Sequence, residues 1–358
     1  MQYFLLPLNA LFPVILNSVF PVILYAVLGN FVRVIPTSCT TGLGGFATGT
    51  CLSISECASL GGTATTTCAM NFGTCCVLRQ ICSQTVTSST TSYFTNPSYP
   101  NTDNSVAGGS CSIAILPCQN NICQIRIDFI DVNLIMPENS NGKCAYDKLI
   151  ITGNGANSGK IPTLCGNLTG QHIYIDVEPT CSPTNINVQV YAPQLDARKF
   201  NMKVTQIPCL SQDLAPAGCL QYYNSTSGTI KSFNYGSVNG LIETQNYATC
   251  IASQPGFCSI TWRKTADSSF QLPGTCAPTS ECCVNAYVLV PGATCQGLAF
   301  SNACTIKDPR FCGNSFPTTD TTETVSWHKP FALYAHIPKS LGQFYAGYSL
   351  DYSLNRCT

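Results

Sequence analysis

Cysteine is the residue type with the greatest chemical potential in this chain, because 24 of its 358 residues are cysteines. Cysteines in such number serve either as disulfide bonds in an oxidising compartment or as zinc ligands. The chain has no Cys-x-x-Cys pair and only three histidines, His172, His328 and His336. This ligand set does not suit zinc, so the composition predicts a disulfide framework in a secreted, extracellular protein.

The same three histidines are the natural candidates for a catalytic base. A serine protease needs a serine in a glycine-rich oxyanion turn, but Gly-Asp-Ser-Gly-Gly is absent and Gly108-Gly109-Ser110-Cys111 lacks the aspartate. The metalloprotease pattern His-Glu-x-x-His is also absent. His172 lies in an alternating segment, and His328 and His336 lie beside aromatic residues, as packing residues do. The sequence therefore predicts a protein without catalytic activity.

A motif bounded by two cysteines occurs twice. Cys144-Ala-Tyr-Asp-Lys leads into the apolar run Leu149-Ile-Ile, and after a loop comes Leu164-Cys165-Gly166. Cys283-Val-Asn-Ala-Tyr and Phe311-Cys312-Gly313 repeat this arrangement without the Tyr-Asp dipeptide. A length of 358 residues allows two or three domains. The repeat therefore predicts one β-module that is built twice.

Polar and apolar side chains alternate with a period of two in several short segments. Cys123-Gln-Ile-Arg-Ile-Asp-Phe, His172-Ile-Tyr-Ile-Asp-Val and Asn187-Val-Gln-Val-Tyr are the clearest, and Ser259-Ile-Thr-Trp262 follows a turn in the second copy. Turn residues separate these segments, and no segment has a convincing helical period. The pattern predicts an all-β fold of antiparallel strands in a sandwich or barrel.

Two stretches of the first copy resemble CUB domains. Phe94-Thr-Asn-Pro-Ser-Tyr-Pro is similar to the opening of a CUB domain, and Cys144-x-Tyr-Asp-x-Leu with Leu-Cys-Gly is similar to its best-known motif. Gly228-Thr-Ile-Lys-Ser-Phe-Asn-Tyr resembles the opening again. The resemblance implies two jelly-roll β-sandwiches, a CUB-like domain over residues 81–208 and a divergent one over 209–358.

The CUB resemblance also implies disulfide pairs. It implies that Cys144 pairs with Cys165 and that Cys82 pairs with Cys111. Cys118 and Cys123 could close a tight local loop, which leaves Cys181 without a partner in its module. In the second copy Cys250 and Cys258 frame a turn as Cys118 and Cys123 do, Cys283 and Cys312 correspond to the flanking cysteines, and the two copies end at Cys209 and Cys357.

Residues 39–76 contain six cysteines and end in an adjacent pair. Fewer than 40 residues cannot bury enough apolar surface to fold unaided, so crosslinks must stabilise this module. The spacing resembles the clip module of arthropod extracellular proteins, which would occupy residues 30–80. That resemblance implies three pairs, Cys39 with Cys75, Cys51 with Cys68, and Cys57 with Cys76. Taken together, the chain resembles an arthropod secreted protein with a clip-like head and two CUB modules.

Residues 1–32 contain no charged side chain and are rich in Leu, Val, Ile and Phe, although Pro7, Pro13 and Pro21 interrupt them. We interpret residues 1–29 as a cleaved secretory signal, because a cysteine-rich body follows at once. An uncleaved signal-anchor is the alternative, and it would attach the mature protein to a membrane.

The CUB resemblance suggests a calcium site in the first copy only. Many CUB domains bind calcium through a Glu, the Asp of the Tyr-Asp motif and an Asp of a later loop, which matches the preference of calcium for several hard oxygens. Glu138 and Asp147 correspond to the first two, and Asp176 or Glu178 would supply the third. The alternative is that Asp147 caps its own turn.

The formal charge is zero, with 17 basic and 17 acidic residues, so nothing in the electrostatics favours nucleic acid as a partner. Charged residues form only 9% of the chain. Sequons at Asn167 and Asn224 predict N-glycosylation of a secreted chain. Aromatic residues in or near predicted loops are candidates for a binding surface, with core packing as the preferred interpretation: Tyr222, Tyr223, Phe344, Tyr345 and Tyr348.

Two functions are compatible with these features. The first is a secreted adhesion or recognition protein whose β-sandwich loops bind an extracellular protein or glycan. The alternative is a non-catalytic regulator of extracellular clip-type serine protease cascades.

Overall fold

The computed structural model describes residues 33–86, 90–103, 109–116, 121–138, 140–153, 161–178, 183–189, 198–237, 240–266, 268–274, 283–297, 309–314, 316 and 322–357. The predicted signal segment, Cys118 and Cys181 lie outside these ranges. Strands make up 52% of the protein and helix 3%, so the predicted all-β class is confirmed. Among the described ranges there is no helix long and apolar enough to cross a membrane. The chain divides into two compact units at about residue 79.

The small N-terminal unit is a four-stranded sheet in the order β1-β2-β4-β3. Its strands are β1 (Ser38–Leu43), β2 (Phe46–Leu52), β3 (Thr63–Cys68) and β4 (Gly73–Val77). Its core consists of Leu52, Leu78 and the bridge between Cys57 and Cys76. Two more disulfides join Cys39 to Cys75 and Cys51 to Cys68, so all three pairs are those that the clip resemblance implies.

A short helix, α1 (Ile54–Ser59), lies in this unit, although the sequence analysis predicts no helix. It is too short to show a helical period, but it begins with a capping box. The Glu56 amide donates to the Ser53 hydroxyl, and the Glu56 carboxylate accepts from the Ser53 amide. The spacing Ser-x-x-Glu was therefore the available signal.

The first sandwich of the large unit has two sheets, in the orders β10-β12-β8-β6 and β11-β9-β13-β7-β5. Apolar residues of both inner faces, such as Phe94, Ile127 and Val188, form its core. The strands are β5 (Arg79–Gln80), β6 (Gln84–Val86), β7 (Thr91–Thr95), β8 (Ser110–Ile115), β9 (Ile122–Asn133), β10 (Lys148–Thr152), β11 (His172–Asp176), β12 (Thr184–Gln189) and β13 (Lys199–Pro208).

The second sandwich has the sheet orders β14-β16-β23-β19-β21 and β15-β24-β17-β22-β20, and β18 pairs with β24. Trp262, Phe331 and Leu350 lie fully buried in its core. The strands are β14 (Cys219–Tyr223), β15 (Ser227–Lys231), β16 (Gln245–Ile251), β17 (Phe257–Lys264), β18 (Phe270–Gln271), β19 (Tyr287–Leu289), β20 (Ala293–Gly297), β21 (Arg310–Phe311), β22 (Thr322–Ser326), β23 (Phe331–Ile337) and β24 (Gly347–Arg356).

The two sandwiches repeat one topology. The order β11-β9-β13-β7 corresponds to β22-β17-β24-β15, and β10-β12-β8-β6 corresponds to β19-β23-β16-β14. In each sandwich one pair of neighbouring strands runs parallel, β6 with β8 in the first and β14 with β16 in the second.

Three disulfides recur at equivalent places in the two copies. In the first copy the bridges join Cys82 to Cys111, Cys123 to Cys209 and Cys144 to Cys165. In the second copy the bridges are Cys219–Cys250, Cys258–Cys357 and Cys283–Cys312.

These bridges correct one expectation from the sequence. Cys123 does not close a local loop with Cys118, and Cys250 and Cys258 each bind a distant partner. The reason lies in strand pairing, because β9 and β13 run antiparallel and Pro208 lies opposite Ile122. That register brings Cys209 beside Cys123, although 86 residues separate them in sequence.

We expect the double substitution Cys123→Ala with Cys209→Ala to lower the free energy of unfolding of the large unit by about 4–5 kcal/mol, because the bridge closes a long loop in the unfolded chain. Denaturant unfolding followed by tryptophan fluorescence measures this. Both tryptophans lie in the second sandwich, within the large unit.

The matched control is the double substitution Cys39→Ala with Cys75→Ala, which should leave that transition in place because the bridge belongs to the other unit. Mass spectrometry of unreduced peptides should recover Cys123 joined to Cys209. A peptide that joins Cys118 to Cys123 would contradict the arrangement.

Candidate functional site

The two sandwiches meet where β11 of the first packs on β14 of the second. Tyr174 and Ile207 from the first sandwich contact Ala248 and the Cys219–Cys250 bridge of the second in one buried cluster. Both sandwiches also contribute to the main hydrophobic core cluster. The junction is therefore a packed interface within one compact unit.

Hydrogen bonds between polar groups hold the two sandwiches together at this junction. The side-chain amide of Gln124 donates to the carbonyl of Ala215 at 2.9 Å, and its oxygen accepts from the amide of Ala215 at 2.8 Å. Asn167 donates its backbone amide to Oδ1 of Asn234 at 2.9 Å. The neighbouring Gly166 has a φ of +76°, and a Cβ there would collide with the Asn234 side chain, so the glycine of the Leu-Cys-Gly motif is required by this contact.

His172 is buried in the same junction. Its Nε2 lies 3.0 Å from the carbonyl oxygen and 3.2 Å from the amide nitrogen of Tyr222, so the imidazole links β11 to β14 through the backbone. Burial, together with the positive charge of Arg126, lowers the pKa of His172 from 6.5 to about 4, against the opposing charge of Asp128. The imidazole is therefore neutral at physiological pH.

Two pockets are lined by residues of both sandwiches, one of about 540 Å³ and one of about 460 Å³. Lys143, Lys148 and Glu243 are the charged residues of the larger pocket, whose lining also includes Ile150, Ile161, Pro162 and Ile242. The smaller one contains four charged residues, Arg126, Asp128, Lys203 and Asp213, in a chain where only 9% of residues are charged. We call the smaller one the junction pocket.

Strand register builds the floor of the junction pocket from two rows of side chains. Across β11, β9 and β13, Tyr174 lies opposite Arg126, which lies opposite Thr205. In the adjacent row His172 lies opposite Asp128, which lies opposite Lys203. Because side chains alternate along a strand, these rows lie on the sheet face opposite the buried Ile125, Ile127 and Phe129.

Hydrogen bonds hold Arg126 in place on this floor. Its Nε and one terminal nitrogen donate to Oδ1 of Asp128 at 2.9 and 2.6 Å, and the other terminal nitrogen donates to the hydroxyl of Tyr174 at 2.9 Å. The guanidinium carbon also lies 5.3 Å from the centre of the Tyr174 ring. The guanidinium plane is therefore oriented before any ligand arrives.

Lys203 is half-buried beside this pair. Burial lowers the pKa of its ammonium group, the charge of Asp128 opposes the shift, and Arg126 adds to it. Tyr222 and Asn224 of the second sandwich form the opposite wall, together with Gln212 and Asp213 of the connecting segment. The pocket therefore presents cations, carboxylates, amides and a phenol within one small volume.

Sequence reasoning missed Arg126, Asp128 and Lys203 as site residues. The available signal was the alternation Gln124-Ile-Arg126-Ile-Asp128, which places two charges on one sheet face in a chain that has few charges. Lys203 could not be assigned to the same place, because its position opposite Asp128 depends on the pairing of β13 with β9.

The candidate calcium ligand Asp147 is fully buried and already has a cationic partner. Arg198, 2% exposed, donates from Nε to Oδ2 of Asp147 at 2.9 Å, and the amide of Ile135 donates to the same oxygen at 3.2 Å. The carboxylate is thus neutralised by a guanidinium from the same chain.

The other candidate ligands do not converge on Asp147. Glu138 accepts from the side-chain amide of Asn141 at 2.9 Å, Asp176 accepts from Gln124 at 2.7 Å, and Glu178 is exposed after β11. Within the ranges described, no three His, Cys, Asp or Glu residues form a group that could hold a metal. The residues therefore do not fit a calcium site, because an arginine fills the role of the cation.

The other candidate residues are the two sequon asparagines and the aromatic residues near loops. Asn167 and Asn224 are both exposed, and Asn224 lines the junction pocket. Of the loop aromatics, Tyr348 is a core residue that shares a hydrogen bond with Tyr247, as the packing interpretation predicts. Tyr222 instead forms part of the pocket wall.

Comparison with known proteins identifies the second sandwich. The family model of the animal CUB domain matches residues 216–355, so this part of the chain is a CUB domain. Among solved structures, the CUB1-EGF-CUB2 domain of human MASP-1/3 is 15% identical, with a TM-score of 0.27, over 74% of this chain and 100% of that chain. No curated protein matches the chain.

The match falls on the copy that lacks the Tyr-Asp dipeptide. CUB domains generally mediate interactions between extracellular proteins. The domain and the disulfides together indicate an extracellular protein.

We expect Arg198→Met to lower the free energy of unfolding by about 3–5 kcal/mol, because it leaves the carboxylate of Asp147 buried without its cation. Thermal and denaturant unfolding measure the loss. Lys199→Met is the matched control, since its ion pair with Asp131 is about 30% exposed and should contribute less than about 1 kcal/mol. For the unaltered protein, the melting temperature should be the same in millimolar calcium and in EDTA, and a calcium-dependent rise would contradict the assignment.

The junction should weaken in acid through His172. Between pH 6.5 and about 4 the unfolded chain binds a proton at this residue and the folded chain does not, so stability falls as the pH falls through this window. The shift corresponds to about 3 kcal/mol, which is present in full above pH 6.5. Unfolding measured from pH 7.5 to 4 should show a smaller decline for His172→Gln. The exposed His328 provides the control substitution, and an identical decline in both variants would contradict the role of His172.

Proposed function

We propose that this chain is a secreted, non-catalytic binding protein that recognises an extracellular protein or glycan at the junction of its two sandwiches. The observation that carries the proposal is the junction pocket. Charged groups are costly to place in a half-buried site, and in a chain with so few of them four line one pocket. Concave sites with a few oriented polar groups are where proteins most often bind ligands.

The chemistry of the pocket favours binding over catalysis. A general base needs a ring nitrogen or carboxylate directed at the substrate. The Nε2 of His172 contacts the backbone of Tyr222, and Oδ1 of Asp128 accepts two hydrogen bonds from Arg126. His172 and Asp128 are engaged in this way, so they are suited to hold neighbouring groups in place and poorly suited to move protons.

The alternative function, regulation of clip-type protease cascades, rests on a different part of the chain. The N-terminal unit joins Cys39 to Cys75, Cys51 to Cys68 and Cys57 to Cys76. This is the pairing that the clip resemblance implies, and clip modules usually precede a serine protease or its inactive homologue. Under this alternative the partner would bind the N-terminal unit, so the two functions predict different effects of the same substitutions.

Affinity capture with the full secreted chain separates the two. Thr205→Phe fills the junction pocket without breaking the ion pair of Arg126, and Thr229→Phe places the same side chain on the exposed strand β15 as a control. Under the proposal, matrix or cell-surface glycoproteins bind the unaltered chain and the control, and Thr205→Phe weakens their binding at least about tenfold.

Two outcomes would contradict the proposal. Captured serine proteases whose binding is unaffected by Thr205→Phe would support the regulatory alternative. Captured glycoproteins that bind Thr205→Phe as tightly as the unaltered chain would place the binding surface elsewhere.

A further inference from the structure

We propose that the junction pocket binds a sugar that carries one carboxylate, such as a uronic or sialic acid residue, and that Lys203 holds the carboxylate. This inference deepens the proposed function, on which it rests, by naming the ligand class. The observations behind it are the state of Lys203, the mixed polarity of the lining and the size of the pocket.

The first observation is the state of Lys203. Among the described residues its ammonium group makes no hydrogen bond and no ion pair, although it is half-buried. Asp128, which lies opposite Lys203 on the neighbouring strand, already accepts two hydrogen bonds from Arg126 at its Oδ1. Burial lowers the pKa of the Lys203 ammonium group, and the charge of Asp128 opposes this shift. An anionic group of a ligand would restore the missing hydrogen bonds.

The second observation is that the charges around Lys203 cancel. Arg126 and Lys203 are balanced by Asp128 and Asp213, and the chain as a whole has a net charge of zero. A densely sulfated or phosphorylated polymer would be repelled by the two carboxylates of the lining, Asp128 and Asp213. Because Arg126 is paired with Asp128 at 2.6 Å, Lys203 is the cation of the described lining that is left for a ligand, and one negative charge suits it.

The third observation is the alternation of donors and acceptors around that charge. Thr205 offers a hydroxyl, Gln212 and Asn224 offer amides, and Asp213 offers an exposed carboxylate. A ring with several hydroxyl groups can satisfy such a set, whereas an aliphatic chain would leave it unpaired. The half-buried ring of Tyr222 provides an apolar face against which a sugar ring can pack.

The volume is consistent with this class. About 460 Å³ lies near the lower end of the range of about 300–1,000 Å³ found for small-ligand pockets. The pocket therefore suits one or two sugar rings at the end of a chain.

The sequon at Asn224 affects how the test must be made, because a glycan on Asn224 would lie at the edge of the pocket. Thr226→Ala removes the sequon without changing a residue of the lining. All binding measurements therefore use the full chain that carries Thr226→Ala.

Isothermal titration calorimetry with matched probes tests the proposal. The first pair is a hyaluronan tetrasaccharide and its carboxyl-reduced form, and the second is sialyllactose and lactose. We expect the acidic sugar of at least one pair to bind. Its neutral counterpart should bind at least about tenfold more weakly, because a charge-assisted hydrogen bond is lost. Lys203→Met should lower the affinity for the acidic sugar to the same extent. Lys199→Met, on the same strand but paired with Asp131, should change its affinity less than about twofold.

Several outcomes would overturn the proposal. These are equal binding of both members of each pair, no binding of any probe at millimolar concentration, or unchanged affinity in Lys203→Met with an intact melting temperature. Tighter binding of a glutamate hexapeptide than of any sugar would assign the pocket to an acidic protein segment instead. In each case, the proposed binding function would still hold if the chain captures glycoproteins and Thr205→Phe weakens that capture.

Discussion

The packing of strand β11 against strand β14 is the interaction on which the candidate site depends. This contact turns an outer sheet face, which would otherwise be exposed to solvent, into the floor of a pocket with a second wall. It is maintained by the reciprocal hydrogen bonds between Gln124 and Ala215 and by the neutral His172 on the backbone of Tyr222. Both sets of hydrogen bonds involve uncharged groups, so burying them costs little free energy.

The two sandwiches have equivalent disulfides and strand orders, and they differ in the side chains on their outer sheet faces. Three disulfides occupy equivalent positions in each, and the strand orders correspond. Such bridges reduce the entropy of the unfolded chain and so stabilise the folded protein. With the frame fixed in this way, side chains on the outer sheet faces can vary. The first copy carries Arg126 and Asp128 on β9, whereas the equivalent strand β17 carries Arg263 in an exposed pair with Glu323.

The ion pair between Arg198 and Asp147 differs from the environment that the CUB resemblance implies for the Tyr-Asp motif, in which the aspartate binds calcium. An aspartate in a Tyr-Asp motif signals a carboxylate that needs a positive partner. A metal ion and a guanidinium both meet this need, and the motif does not distinguish them. Here Arg198, 51 residues further along the chain, lies 2.9 Å from the carboxylate and supplies the positive charge. The partner was not predictable because no local pattern relates the two positions.

The sequence by itself determined the features that depend on local patterns. The period of two predicted the strands, the cysteine content predicted the disulfides, and the repeated motif around Cys144 and Cys283 predicted two copies of one module. The tertiary structure alone decided which distant residues meet: Cys123 with Cys209, Arg198 with Asp147, and Lys203 with Asp128 across the sheet. The physical reason is that side-chain periodicity reports which face a residue occupies, whereas strand order and register, which choose its neighbours, arise from the packing of the whole core.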